Sequence, residues 1–172
     1  MSIFKNIFLV GPMGVGKTTI GHHLANELRK TFVDSDHEIE KQAGVKIPVI
    51  FECEGELSFR RRERTIIAKL TRRNNLILST GGGVVLNADN RKYLQSRGYV
   101  IYLQAPVDDL LERTIHNHNR PLLKTANPRE KLETLLLERH PLYQKVADVT
   151  IKTSRCSIRK VVTIILKHLQ AL

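Results

Sequence analysis

The stretch IFLVGPMGVGKT, residues 7–18, restricts the fold more than any other part of the chain. A short apolar run enters a glycine-rich turn, and the turn closes on Lys17, Thr18 and Thr19. The spacing G-x-x-x-x-G-K-[ST] over residues 11–18 is that of a loop whose backbone N–H groups point inward around a phosphate. Glycine permits such a turn, and a helix opening directly after it adds the positive end of its dipole. Lys17 is the candidate for the terminal phosphates, as a point charge, and the Thr18 hydroxyl is the candidate ligand for Mg²⁺. Gly14, Val15, Gly16 and Thr19 complete the expected phosphate-binding set.

Further along, apolar runs alternate with longer segments. IFLV (7–10), TFV (31–33), LILS (76–79), YVIYL (99–103) and DVTI (148–151) read as strands, most of them apolar enough to be buried on both faces. Residues 17–30 and 56–73 are long enough for helices, and HEIEKQAG reads as another. Ile158, Val161, Val162, Ile165 and Leu169 recur at helical spacing near the carboxyl end. Strand–helix alternation predicts an α/β three-layer sandwich on a mainly parallel sheet, with ligands beyond the carboxyl ends of the strands. HNHNRPLLKTANPRE (116–130) interrupts the pattern and reads as a mobile lid between two helices. No internal repeat or composition break divides the 172 residues, so one domain is expected.

FVDSDHEIE (32–40) places Asp34 and Asp36 at a strand end. Two carboxylates so close repel unless cations lie near, and a phosphate loop with Mg²⁺ and Lys17 would supply them. In an extended segment, residues two apart share a face. Asp34, nearer the strand, is the candidate on the metal side, and Asp36 the candidate for an acceptor hydroxyl. The simpler alternative makes Asp36 only the cap of the next helix.

The net charge of +11 comes from 28 Lys and Arg against 17 Asp and Glu, and it suits a polyanion or small phosphorylated anions. The arginines of RRRER (60–64) are not interleaved with aromatics, and the chain has no tryptophan, so a base-stacking surface for nucleic acid is not expected. No apolar run approaches the ~20 residues of a membrane span. The start MSIFKNIFLVGPMG lacks the pattern of a secretory signal. Cys53 and Cys156 lie too far apart in sequence to suggest a disulfide framework, so a cytoplasmic setting is expected. Cys53, within IPVIFEC, reads as a small buried hydrophobe. The HNH at 116–118 lacks acidic or cysteine partners at metal spacing and reads as polar loop.

GPMGVGKT, DSD, IFECEGELSFR (50–60), STGGGVV (79–85), NRPLL (119–123) and ERHPLY (138–143) occur in that order. Together they resemble the shikimate kinase family of P-loop kinases, over about residues 4–170. The resemblance implies a five-stranded parallel sheet in the order 2-3-1-4-5. It implies phosphoryl transfer from ATP, with Mg²⁺, to the 3-hydroxyl of shikimate, by a monomer that needs neither nucleic acid nor membrane. It also assigns roles. Asp36 matches the aspartate at the substrate hydroxyl and Asp34 the one on the metal side. Arg60 and Arg139 match the arginines that grip the substrate carboxylate, and Gly82 a backbone contact to substrate. Arg120 matches the lid arginine that closes on the ATP phosphates, making it catalytic alongside Lys17 and Asp36. Arg113 matches the residue lying against adenine, with Arg155 the looser match beside it. The chemistry suits a ring with one carboxylate and three hydroxyls, because a guanidinium donates two parallel hydrogen bonds to a carboxylate. Arg139, before His140-Pro141, is expected near a helix end. A related small-molecule kinase acting on gluconate is the nearest rival reading.

Overall fold

The computed structural model describes residues 4–115 and 121–172. Five strands form one parallel sheet: β1 (Asn6–Val10), β2 (Thr31–Asp34), β3 (Leu76–Ser79), β4 (Tyr99–Gln104) and β5 (Val149–Lys152). Their order is β2-β3-β1-β4-β5, as the family resemblance implied. Seven α-helices accompany them among the described residues: α1 (Lys17–Leu28), α2 (Ser35–Ala43), α3 (Ile47–Leu70), α4 (Ala88–Arg97), α5 (Val107–Thr114), α6 (Pro128–Val146) and α7 (Ile158–Gln170).

The pleat of the central strands separates the two cores. Ile7 and Leu9 of β1, with Ile101 and Leu103 of β4, pack with α1, α5 and α7. Phe8 and Val10, with Val100 and Tyr102, face the other way, toward α2, α3 and α4. Both faces of β1 are therefore covered, and all five of its residues are buried. On α7 the helical stripe Val161, Val162, Ile165 and Leu169 is buried, as its spacing predicted.

Several local expectations need correction. The helix expected over 56–73 begins at Ile47, with proline in its first turn, and is broken at Gly55, where φ is 80° and ψ 172°. Cys53 lies on this first half but is exposed, because α3 turns its Ile50 side to the core. The loop expected over 116–130 ends earlier: a 3₁₀ turn occupies Pro121–Leu123, and α6 starts at Pro128 with Asn127 as its cap. Proline suits that first helical position, where its missing N–H costs nothing. Arg139 is not near a helix end, since α6 continues past Pro141 to Val146.

The amino ends of the strands are tied by one buried side chain. Asn6 Nδ2 donates to the carbonyls of Arg73 at 2.7 Å and Arg97 at 3.2 Å, and Asn6 Oδ1 accepts from Leu76 N–H at 3.1 Å. Replacing Asn6 by Ala removes the partner of one buried and two part-buried backbone groups. The expected loss is about 2–3 kcal/mol of stability, or about 5–10 °C in melting temperature. Calorimetry checks it, and an unchanged melting temperature would refute it.

Candidate active site

The phosphate loop takes its shape from three glycines at positive φ: Gly11 at 147°, Gly14 at 80° and Gly16 at 102°. At Gly11 there is also no room for a side chain, since a Cβ would come within 2.5 Å of the Leu103 carbonyl oxygen. Lys17, the first residue of α1, is buried and donates from Nζ to the Gly11 and Pro12 carbonyls at 2.7 and 2.8 Å. Val15 turns its side chain into the core, so only its backbone is available to a ligand. A cleft of about 370 Å³ opens over the loop, lined by Gly14, Gly16, Lys17, Thr18, Thr19 and both aspartates among others.

Asp34 and Asp36 do share that cleft, but not through the two-residue period of a strand. Asp34 ends β2, and Asp36 already lies in the first turn of α2. The helix cap is Asp34, not Asp36. One oxygen of Asp34 accepts from the Asp36 and His37 N–H groups at 2.9 and 3.2 Å, and the other accepts from the Thr18 hydroxyl at 2.8 Å. The cap holds the Asp34 carboxylate rigidly against Thr18. The Thr18 hydroxyl and Asp34 form a small all-oxygen set of the kind that suits a hard cation also held by phosphates and water.

A second, narrower cleft of about 60 Å³ adjoins the first. Its walls include Met13, Phe51 and Phe59, and its charged groups are Asp36, Arg60, Glu63 and Arg139. Asp36, Gly81 and Gly82 line both clefts. The glycine turn after β3 makes the convergence possible. A Cβ on Gly81 would come within 2.7 Å of Asp36 Oδ1 and 2.9 Å of Glu63 Oε2. A Cβ on Gly83 would come within 2.3 Å of Arg60 Nη1. Each glycine gives its space to a different charged group, and any side chain there would fill the cleft.

Arg60 donates to Glu63 at 2.9 Å and to Glu56 at 3.3 Å. Arg139 is buried on α6. The Nε atoms of Arg60 and Arg139 are buried without a hydrogen-bond partner among the described residues, as is Glu63 Oε2. Arg60 and Arg139 thus bring two guanidinium groups to one cleft, and a guanidinium fork suits a carboxylate. Burial pushes the Glu63 carboxyl above the ordinary carboxylate range, and Arg60 and then Arg139 pull it only partly back.

Arg113, exposed on α5, donates to the Gly14 and Val15 carbonyls at 3.3 and 3.1 Å, so it sits against the outer side of the phosphate loop. Arg155 is exposed on the turn between β5 and α7 and lines neither cleft. Arg120, His116 and His118 fall outside the described residues. Two site residues escaped sequence reasoning. Ser35, between the aspartates, is buried and accepts from Gly81 N–H at 3.2 Å, joining α2 to the glycine turn. Tyr143 donates to the Gly82 carbonyl. Its position four residues after Arg139 on one helix face was the available signal.

The shikimate kinase family model matches residues 13–170. The chain belongs to the shikimate kinase family. A shikimate kinase of Nitrosococcus oceani is 58% identical over 165 residues, covering 96% of this chain and 87% of that protein. The structure of a shikimate kinase from Acinetobacter baumannii in complex with shikimate superposes with a TM-score of 0.96 at 49% identity, over 99% of this chain and 95% of that one. A gluconokinase from Sinorhizobium meliloti reaches a TM-score of 0.60 at 16% identity, covering 97% of this chain and 92% of that one, a likeness of fold alone. Residues of the motifs that carry the resemblance thus fall on both clefts: Gly14, Gly16, Lys17, Thr18 and Asp34 line the larger, while Arg60, Gly82 and Arg139 line the smaller.

The raised Glu63 carboxyl has a consequence for stability. A carboxyl raised by folding stabilises the folded state at acid pH, and that contribution fades as pH rises past the ordinary carboxylate range. Glu63→Gln keeps a neutral side chain at every pH. In ligand-free protein, the melting temperature of the variant minus that of the wild type should therefore grow between about pH 4 and pH 7. A difference that shrinks over this range would mean that the ion pair with Arg60 outweighs burial.

Proposed function

We propose that this chain transfers the γ-phosphate of ATP to the 3-hydroxyl of shikimate, giving shikimate 3-phosphate and ADP. The observation that carries the reading is the position of Asp36 at the seam of two clefts, one lined by Lys17 and Thr18, the other by Arg60 and Arg139. A phosphoryl donor in the first and a carboxylate-bearing acceptor in the second would meet at that carboxylate.

In this reading Arg60 and Arg139 hold the acceptor carboxylate, and the Gly82 backbone contacts the ring. Glu63 keeps the Arg60 fork aimed, through the bond from Nη1. Asp36 accepts the hydrogen bond of the 3-hydroxyl and takes its proton as the oxygen bonds to the γ-phosphorus. The bond from that phosphorus to the ADP oxygen breaks in the same displacement. Because the transition state of phosphoryl transfer is loose, orientation of the hydroxyl contributes more than strong basicity. Lys17 is already held at the loop carbonyls and has only to turn toward the terminal phosphates. Gly14, Val15, Gly16 and Thr19 contribute to the phosphate cradle. Thr18 would hold Mg²⁺ directly and Asp34 through water; the ion, when bound, neutralises charge on the transferring phosphates. Arg120 closes from the lid on the same phosphates, and lid closure excludes water as a competing acceptor. Arg113 and Arg155 serve the adenine side. All these groups lie on one chain, which supports action as a monomer. No helix among the described residues is long and apolar enough to cross a membrane.

ADP release with shikimate, measured beside gluconate and a panel of polyols and sugar acids, tests the assignment. Turnover with shikimate and none with gluconate is expected, and the reverse would sink it. Asp36→Asn should lower kcat by about 10²–10⁴-fold while ATP binding, followed by calorimetric titration, stays near the wild-type value. Undiminished turnover in that variant would remove Asp36 from the chemistry.

A further inference from the structure

We infer that Tyr143 is a positioning residue for the acceptor cleft, and that its hydroxyl orients the Gly82–Gly83 peptide toward substrate. The inference rests on the reading of Gly82 as a substrate contact.

The glycine turn is anchored unevenly. The Gly81 and Gly83 carbonyls accept from the N–H groups of Val84 and Leu86, each at 3.1 Å, within the short 3₁₀ turn Val84–Leu86. The far end of that turn is clamped by α4: Asn90 Nδ2 donates to the Val84 carbonyl at 3.1 Å, and Arg91 Nη1 to the Val85 carbonyl at 2.7 Å. The Gly82 carbonyl instead reaches across to α6, where the Tyr143 hydroxyl donates to it. A peptide plane is rigid, so holding one carbonyl also directs the N–H of the next residue. Without Cβ atoms on either side, little else restrains rotation of that plane.

Tyr143 is suited to the task because it cannot move. Its side chain is fully buried, and its ring lies 5.0 Å from the Tyr102 ring, which is itself held by a 2.8 Å bond between its hydroxyl and His140 Nδ1. Burial raises the Tyr143 phenol far above its ordinary range, with Arg139 beside it opposing that shift, so the hydroxyl stays a proton donor at any working pH. One aromatic side chain thus touches two proposed substrate contacts, Arg139 and Gly82. A buried tyrosine needs a partner for its hydroxyl in any case. What distinguishes this one is that its acceptor belongs to the cleft rather than to the core.

The test separates positioning from simple stabilisation. Tyr143→Phe should raise the KM for shikimate about tenfold, the size of one lost oriented hydrogen bond, with the KM for ATP unchanged and kcat within about twofold. Tyr102→Phe removes a hydroxyl from the same aromatic pair without touching the glycine turn; it should lower the melting temperature and leave both KM values in place. An unchanged shikimate KM in a folded Tyr143→Phe variant, or equal rises in both KM values, would overturn the inference. Should that variant fail to fold, 3-fluorotyrosine placed at position 143 keeps the ring and the donor while altering its acidity. It should then change the shikimate KM alone, and no change would likewise overturn the inference. Absence of shikimate turnover in the wild-type protein would instead strike the functional reading beneath it.

Discussion

In the sheet, Ser79 is paired with Leu9 on one side and with Asp34 on the other, so β1, β2 and β3 run out at one level. The segments leaving these strands are therefore delivered to the same place: the phosphate loop after β1, the aspartate pair after β2, the glycine turn after β3. Thr80 secures the junction, donating from both N–H and hydroxyl to the Leu9 carbonyl at 3.2 and 2.7 Å. Parallel strands share a direction, so their carboxyl ends collect on one edge. The order 2-3-1-4-5 places these three side by side.

Bringing so many charges together carries an electrostatic cost, and the local structure offsets it through capping and pairing. Asp34 is held by two N–H groups of its own helix and by Thr18. Arg60 shares its charge with Glu63 and Glu56. Arg139 and Glu63 are buried, where unpaired charge is most costly. Arg60 Nε and Arg139 Nε are buried without a hydrogen-bond partner among the described residues. Gly81 and Gly83 make this packing possible by withholding side chains.

The legible part of the molecule was the part set by short-range pattern. The apolar runs placed all five strands within two residues of where they lie, since strands buried on both faces read as uninterrupted apolar runs. The loop at 11–18 was legible because its chemistry demands glycine, lysine and threonine at fixed spacing. Less legible was the turn from β2 into α2. Both aspartates reach the cleft, yet the route is a strand-to-helix change at Ser35, and the capping residue is Asp34. Either residue could have served as cap by type alone. Pro141 misled for a similar reason: proline usually ends a helix, but α6 continues through it with Tyr143 and Val146 anchored in the core. Cys53 is exposed because the break at Gly55 and the packing of Ile50 set which way that part of α3 faces.

By itself the sequence determined the α/β class, the phosphate loop and, through family resemblance, the charged residues that line the smaller cleft. The first two rest on composition and spacing, and the last on ordered motifs, all of which survive any rearrangement in space. Tertiary structure alone decided that Ser35 ties α2 to Gly81, and that Tyr143 holds Gly82 from 61 residues away. Those are contacts between segments distant in the chain. Their geometry depends on how helices settle on the sheet, and no local periodicity encodes it.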